Sequence, residues 1–264
     1  MRFAERYGPT ALVLGASEGI GAAWATQLAQ RGLDLVLVAR GVDKLDAVAQ
    51  QIRADHGVQV RTVSLDLGRA DLAECLATEF AGEDIGLVVY NACYSVIANF
   101  LDLSLADKLT TVDVNVRGPL VTAHVFGPRL AERGRGGLVL MSSMSGFQGS
   151  AMVGTYAATK AFDTVLGEAL WEELERHGVD VLVCVAGATL TPNFKRQTPE
   201  SRRSAAMPLE PDQVVREAMA RLGSGVPTWI PGTVNRVAYH ALKNLPRGRQ
   251  VRFISNTTRK MYEP

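Results

Sequence analysis

The stretch that decides the fold is TALVLGASEGIG at residues 10–21. Its first part, Thr10–Leu14, is a short and nearly continuous apolar run, which is typical of a parallel β-strand covered on both faces. Three glycines follow, Gly15, Gly19 and Gly21, where a segment with helical periodicity begins. The succession of strand, glycine-rich turn and helix predicts a βα unit at the start of an α/β domain.

The same alternation continues along the chain. Further strands are predicted at Leu35–Val38, Val58–Ser64, Leu87–Tyr90, Gly137–Ser142 and Val179–Val185. Helices are predicted at Ile20–Arg31, Lys44–His56, Asp71–Glu79, Leu105–Arg133, Tyr156–His177 and Asp212–Leu222. Right-handed βαβ crossovers then build a Rossmann-like, doubly wound parallel sheet. No linker or repeat interrupts the pattern, so we expect one domain over residues 1–264.

Two segments depart from the alternation. Residues 187–211 are polar and rich in proline, which predicts a long loop or short helices that form either a lid over the substrate or a passive connection. The C-terminal extension, about 226–264, is basic, and Glu263 is its only acid after Asn244. A solvated basic end is the favoured interpretation; a surface for an anionic carrier or a membrane is the alternative.

Composition narrows the class of protein. Of the 264 residues, 47% are hydrophobic and 21% charged, and the formal net charge of +1 does not favour nucleic acid as a partner. Three cysteines without CxxC spacing predict neither a disulfide framework nor a metal site. No apolar run approaches ~20 residues, and the N-terminus does not resemble a signal peptide. We therefore expect a cytoplasmic protein without a membrane span.

The glycine-rich turn is a candidate nucleotide site, with a purely structural turn as the alternative. Its backbone N–H groups and the following helix N-terminus suit a pyrophosphate. The second strand ends at Arg40, and a guanidinium there suits the 2′-phosphate of NADP(H) better than the 2′-hydroxyl of NAD(H). A plain surface arginine is the alternative. Glu18 opposes the NADP interpretation unless its charge points away.

Tyr156 and Lys160 are spaced i, i+4, so their side chains lie on one face of a predicted helix. The unperturbed pKa of a phenol is ~10, and a nearby ammonium lowers it by stabilising the phenolate. The pair is thus a candidate proton donor and its electrostatic support. A tyrosine and a lysine at this spacing also occur by chance.

The spacing of further residues from Tyr156 distinguishes this pair from a chance occurrence. Ser143, within the run Ser142-Ser143-Met144-Ser145-Gly146, precedes Tyr156 by thirteen residues. Together with the form GxxxGIG of the glycine turn, these motifs resemble the short-chain dehydrogenase/reductase family over about residues 8–225. The resemblance implies an oxidoreductase that interconverts alcohols and carbonyls with NAD(P), commonly as a homodimer or homotetramer.

The resemblance also implies site residues. The catalytic set is Asn115, Ser143, Tyr156 and Lys160, in which Ser143 holds the substrate oxygen and Asn115 holds a water that links Lys160 to solvent. Ser142 and Ser145 are alternatives for the serine. The implied cofactor-binding residues are Gly15, Ser17, Glu18, Gly19, Ile20, Gly21, Arg40, Asp66, Leu67, Asn91, Ala92, Tyr156, Lys160, Gly187, Thr189 and Thr191.

Several positions carry a second interpretation or a departure from the family pattern. Asp66 reads the adenine edge, caps the following helix, or does both. Leu14, Cys93 and Ala186 stand where the family has Thr, Gly and Pro. We expect the Cys93 thiol to be a small buried apolar group rather than a nucleophile.

The substrate is less defined. The C-terminal third resembles bacterial members near the 3-oxoacyl and 17β-hydroxysteroid reductases, which implies a hydrophobic ketone. Six apolar residues line such a pocket or belong to the core, namely Met144, Phe147, Met152, Val153, Phe194 and Met207. The alternative functions are an NADP-sensing regulator without catalysis, and an alcohol dehydrogenase that uses NAD.

Overall fold

Seven parallel strands form one sheet in a computed structural model that describes residues 2–263. Met1 and Pro264, the two ends of the predicted domain, lie outside the described residues. The spatial order of the strands is β3-β2-β1-β4-β5-β6-β7. They comprise β1 Thr10–Leu14, β2 Asp34–Ala39, β3 Val60–Ser64, β4 Ile85–Tyr90, β5 Gly136–Ser143, β6 Val179–Ala186 and β7 Thr228–Trp229.

Helices connect the strands and cover both faces of the sheet. They comprise α1 Phe3–Tyr7, α2 Gly19–Ala29, α3 Val42–His56, α4 Leu72–Glu79, α5 Leu105–Val112, α6 Gly118–Arg133, α7 Gly154–Glu175, α8 Pro192–Gln197, α9 Glu200–Arg203, α10 Pro211–Met219, α11 Thr233–Leu242 and α12 Arg247–Tyr262. A π-helical turn, Asp113–Arg117, joins α5 to α6, and a 3₁₀ turn, Met144–Phe147, follows β5.

The strands are continuously apolar because both of their faces are buried. Side chains alternate across β1, so Val13 packs in one core layer with Trp24 of α2, whereas Leu12 packs in the opposite layer with Phe126 of α6. All four of these side chains are at most 1% exposed. The predicted doubly wound parallel sheet is confirmed.

β1 lies in the middle of the sheet, between β2 and β4. The chain crosses from β1 to β2 and β3 on one side, and from β4 to β5 and β6 on the other. In open α/β sheets the crevice at such a reversal, beyond the carboxyl ends of the strands, is where ligands bind. This topology places the glycine-rich turn and the ends of β4 and β5 along one edge.

The C-terminal extension is folded, and its basic side chains, Arg247, Arg249, Arg252, Arg259 and Lys260, are exposed to solvent, as the favoured interpretation predicts. It contributes the short β7 and forms α11 and α12, and α12 packs on the segment that follows β5. Arg247 Nη1 donates to the Phe147 carbonyl at 2.6 Å, and Ser255 Oγ accepts from the Ala151 N–H at 3.0 Å. Ser150 and Thr258 hydroxyls lie 2.8 Å apart. These hydrogen bonds fix the position of α12, and each joins two residues that are about a hundred positions apart in the sequence.

Within residues 2–263, none of the helices combines the length and the apolar character that crossing a membrane requires.

Candidate active site

The glycine-rich turn joins the ends of β1 and β4. Asn91 and Ala92 both donate their N–H groups to the Leu14 carbonyl, at 2.9 and 2.8 Å, and Asn91 Nδ2 donates to the Gly15 carbonyl at 2.8 Å. A Cβ atom on Gly15 would lie 2.5 Å from the Ala92 nitrogen, and one on Gly21 would collide with the Gly15 carbonyl. Only glycine permits this close backbone approach.

The N-terminus of α2 suits a phosphate. Glu18 occupies the N-cap position but makes no capping hydrogen bond with its side chain. The first N–H groups of the helix, near Ser17 and Gly19, therefore have no side-chain acceptor in the N-cap. An anion would satisfy these donors and interact favourably with the helix dipole. The turn thus fits the pyrophosphate of a dinucleotide.

Two cations offset the charge of Glu18. Its carboxylate accepts from Lys44 Nζ of α3 and from Arg196 Nη2 of α8, each at 2.7 Å. The hydrogen bond from Arg196 is the largest cause that lowers the pKa of Glu18, although burial opposes it. Arg40 is exposed at the end of β2. The repulsion that Glu18 was expected to exert on a 2′-phosphate is therefore countered by neighbouring side chains.

Residues 187–211 lie over the glycine-rich turn as short helices. Thr191 Oγ1 caps α8 by accepting from the Phe194 N–H at 3.1 Å. The methyl carbon of Thr191 lies 2.9 Å from the position that a Cβ on Gly19 would occupy. Gln197 Nε2 donates to the Ser95 carbonyl at 3.1 Å, which ties α8 to the loop after β4. The buried Thr189 hydroxyl donates to the Gly187 carbonyl at 3.0 Å.

The residues Asp66, Leu67 and Cys93, which follow β3 and β4, differ in hydrogen bonding and in burial. Asp66 Oδ1 accepts from the Gly68 N–H at 3.0 Å, and α4 begins after Asp71, so the capping interpretation of Asp66 is wrong. Leu67 is 4% exposed and its side chain packs in the core. Cys93 is exposed, contrary to the expected buried thiol.

The end of β5 and the first turns of α7 bring the catalytic candidates together. Ser143 ends β5, accepts the Ser145 N–H at 3.2 Å and lies near enough to the Tyr156 phenol to lower its pKa. Ser142, one residue earlier, points to the opposite side of the strand, where its hydroxyl donates to the Lys160 carbonyl at 2.7 Å. Ser143 is therefore the serine that lies beside Tyr156.

Lys160 is buried, with 3% of its surface exposed. Its Nζ donates to the Met141 carbonyl at 2.7 Å and to Asp163 Oδ2 at 2.9 Å, and it lies 5.9 Å from the centroid of the Tyr156 ring. Burial disfavours the ammonium, but the carboxylate of Asp163 outweighs it and raises the pKa of Lys160 above its usual value.

The expectation that the Tyr156 pKa is lowered overall is wrong. Burial, the largest cause, raises the pKa of this phenol to about 12, and the negative charge of Asp163 adds to the increase. Lys160 and Ser143 act in the expected, lowering direction. The phenol is consequently protonated throughout the neutral range.

Asn115 is fully buried in the π-helical turn between α5 and α6. Its Oδ1 accepts from the Tyr94 N–H at 2.8 Å, while Nδ2 donates to the Tyr94 carbonyl at 2.9 Å and to Thr159 Oγ1 at 3.2 Å. The amide thus fastens the loop after β4 to α7. Its participation in a relay through water stays a prediction.

An apolar cavity of about 240 Å³ lies beside Tyr156. Met152 and Val153 line it as predicted, and Met152 holds a left-handed backbone conformation with φ of 67°. Met144 and Phe147 pack against a small core cluster and do not line this cavity. Met207 is 61% exposed. Further lining residues include Val96, Ala98, Phe100, Leu103 and Ala151.

Two features of this site were missed in the sequence. Asp163 stands three residues after Lys160, a spacing that places both on one helical face, and this signal was available. The contact of Tyr94 with Asn115 joins residues 21 apart and had no local signal.

Comparisons with known proteins identify the family of this chain. The family model for short chain dehydrogenase matches residues 9–202. A 7beta-hydroxysteroid dehydrogenase of Clostridium sardiniense is 32% identical over 236 residues, covering 89% of this chain and 90% of the relative. A solved structure of a 7beta-hydroxysteroid dehydrogenase superimposes with a TM-score of 0.90 at 32% identity, over 96% of this chain and 99% of the other. A short-chain dehydrogenase from Sphingobium yanoikuyae in complex with NADPH gives a TM-score of 0.79 at 30% identity, over 92% and 94%.

Proposed function

We propose that this chain, which belongs to the short-chain dehydrogenase/reductase family, is an NADP(H)-dependent reductase of bulky apolar ketones. Members of the family are oxidoreductases that act on CH–OH groups with NAD(P) as acceptor. The observation that carries the proposal is the meeting of Ser143, Tyr156 and Lys160 beside an apolar cavity.

Each side chain has one task in the reduction. The Ser143 hydroxyl binds the carbonyl oxygen of the substrate and holds it beside the phenol. NADPH, when bound, supplies the hydride that the carbonyl carbon receives. Tyr156 donates its proton to the oxygen, where negative charge develops, and Lys160 stabilises the phenolate that remains. Because the Tyr156 pKa is about 12, the proton that this step requires is in place at neutral pH.

The choice of NADP(H) over NAD(H) rests on charge. Arg40 lies exposed at the end of β2, and Lys44 is nearby on α3, where it neutralises Glu18. A guanidinium binds phosphate oxygens with two parallel hydrogen bonds, and Ala39 next to it offers no carboxylate to a ribose hydroxyl. The similarity to the NADPH complex supports the same cofactor.

The cavity supports a rigid apolar substrate such as a steroid-like ketone. Its lining is mostly aliphatic and aromatic and includes Tyr156. The similarity to 7beta-hydroxysteroid dehydrogenases points to the same class. A 3-oxoacyl thioester is the second candidate, because α12 carries exposed cations, Arg249 and Arg252, that suit an anionic carrier.

A panel of steroid ketones, 3-oxoacyl thioesters, aromatic ketones and sugars, measured with NADPH and with NADH, tests the proposal. We expect turnover of a bulky apolar ketone with NADPH preferred. Tyr156→Phe should reduce kcat by about 10²–10⁴-fold while NADPH binding, followed by fluorescence, is retained. Tyr239→Phe, a matched control away from the phenol, should leave both unchanged.

Two results would contradict the proposal. NADPH binding without turnover of any carbonyl would favour a sensing regulator. Preferred use of NADH would remove the argument from Arg40 and favour a dehydrogenase that uses NAD.

A further inference from the structure

Asp163 forms a buried ion pair with the lysine of the active site. Its Oδ2 lies 2.9 Å from Lys160 Nζ, and the two side chains are only 3% and 4% exposed. Both residues belong to α7, three positions apart, so the pair is part of one helical face. The mechanism proposed above assigns Lys160 a task and assigns Asp163 none.

Stability alone does not account for a carboxylate at this position. Asp163 Oδ1 is buried, and no hydrogen-bond donor among residues 2–263 reaches it. Burying a carboxylate with one unsatisfied oxygen costs solvation free energy, and the free energy gained from a single ion pair does not fully offset that cost. Apolar side chains of similar volume are commonly as stable as such a pair. The carboxylate therefore calls for a role beyond packing.

The groups that face Lys160 and Asp163 come from three places. Tyr156 lies on the same helix, Tyr90 lies on β4 with its hydroxyl donating to the Val114 carbonyl at 2.5 Å, and Cys93 lies in the loop after β4. At neutral pH the phenols and the thiol are uncharged. The electrostatic environment of the Tyr156 phenol therefore depends on one cation, Lys160, and one anion, Asp163.

We propose that Asp163 is a positioning residue that holds the Lys160 ammonium against the end of β5 and reduces the positive charge acting on Tyr156. The inference rests on the proposed function, in which Tyr156 is the proton donor. The Met141 carbonyl and Asp163 together occupy two of the three ammonium donors, which leaves one for a ligand or for the phenol. The consequence is a phenol that keeps its proton to higher pH than it would beside an unopposed ammonium.

Asp163→Asn tests this directly, because asparagine has the same shape and lacks the charge. Without the carboxylate the ammonium is unopposed, so the phenolate is more stable and Tyr156 ionises at lower pH. We expect the ionisation to move down by about one pH unit. The measurement is the phenolate absorbance during alkaline titration, from which the curve of the same variant carrying Tyr156→Phe is subtracted. Glu168→Gln, which removes an exposed charge from the same helix, should leave the titration unchanged.

This titration needs no substrate, so it separates the inference from the proposed function. A downward shift without turnover of any ketone would retain the role of Asp163 and discard the reductase. Where turnover is found, Asp163→Asn should also move the acid limb of the rate of alcohol oxidation to lower pH by the same amount.

A second substitution tests the inference in case Asp163→Asn does not fold. Asp163→Leu removes the charge with an apolar side chain and should give the same downward shift if the asparagine variant does not fold. An unchanged Tyr156 titration in either folded variant would overturn the inference. So would the unfolding of both variants while Asp163→Glu folds, since the carboxylate would then serve stability.

Discussion

Side chains that neighbour Glu18 in the fold change the effect of its charge on phosphate binding near Arg40. In the sequence, Glu18 stands close to the expected phosphates and argues against NADP(H). In the fold, Lys44 and Arg196 both reach its carboxylate at 2.7 Å, one from α3 and one from α8. Arg40, directly after β2, is exposed, so its guanidinium is accessible to a phosphate.

Arg40→Ala should raise the KM for NADPH by about 10–100-fold, because a charge-assisted hydrogen bond to phosphate contributes roughly 1.5–3 kcal/mol. The KM for NADH should change little, since NADH lacks the 2′-phosphate. Initial rates with both cofactors measure the two effects. The matched control is Arg135→Ala, an exposed arginine directly before β5 and so at the opposite edge of the sheet. Equal losses with both cofactors would show that Arg40 supports the turn rather than the phosphate.

At the scale of elements, the periodicity of the sequence predicted most strands and helices to within a few residues. It also predicted one helix over 105–133, and the chain is helical throughout that range. The π-helical turn at Asp113–Arg117 was not predicted, because one inserted residue barely alters the apolar pattern. That turn buries Asn115 against Tyr94 and α7. The two-residue β7 is too short to carry a periodic signal.

Gly19→Ala tests the contact between the glycine turn and α8. Gly19 has φ of 61°, and a Cβ there would lie 2.9 Å from the Thr191 methyl carbon. Gly32→Ala is the matched control, because Gly32 has φ of 79° with no atom within 4 Å of its Cβ position. Both variants should lose about 1 kcal/mol of stability from the left-handed backbone.

Only Gly19→Ala should also weaken NADPH binding, since its Cβ displaces α8 from the turn. Thermal unfolding and fluorescence titration with NADPH measure the two properties. If Gly32→Ala weakened NADPH binding as much, the weaker binding would be caused by backbone strain around α2 and not by displacement of α8.

At the scale of the whole molecule, Glu217 joins the C-terminal extension to the sheet. Its Oε2 accepts from Gly232 N at 3.0 Å, Arg236 Nη1 at 3.1 Å and Trp229 Nε1 at 3.4 Å. Two guanidinium groups, those of Arg221 and Arg236, lie over the Trp229 ring at 3.9 and 4.7 Å from its centroid. One carboxylate on α10 thereby connects β7 and α11.

Glu217→Gln should lower the free energy of unfolding at pH 7 by about 1–2 kcal/mol, or roughly 3–6 °C in Tm. Burial raises the pKa of Glu217, but the hydrogen bonds from Gly232 and its neighbours outweigh it, and the net pKa lies below the usual 4.5. A carboxylate whose pKa is lower in the folded state stabilises the protein above the unfolded pKa. The stabilisation is lost as pH falls through the folded pKa.

The difference in Tm between parent and Glu217→Gln should therefore be constant above about pH 5.5 and close as the pH falls below 4.5. Calorimetry over a pH series measures it. Glu172→Gln, an exposed acid on α7, is the control and should show no difference at any pH. If the difference in Tm persisted at low pH, the loss of stability in Glu217→Gln would be due to packing and not to the charge.

The sequence by itself determined the βαβ alternation, the glycine-rich turn and the alignment of Tyr156 with Lys160. These features depend on spacings of two to four residues, which strand and helix periods convert directly into geometry. Only the tertiary structure decided the rest. Arg196 reaches Glu18 across 178 residues, and Thr258 reaches Ser150 across 108. The pKa of Tyr156 depends on burial, which arises when β5, α7 and the loop after β4 pack together, and no local pattern encodes that desolvation.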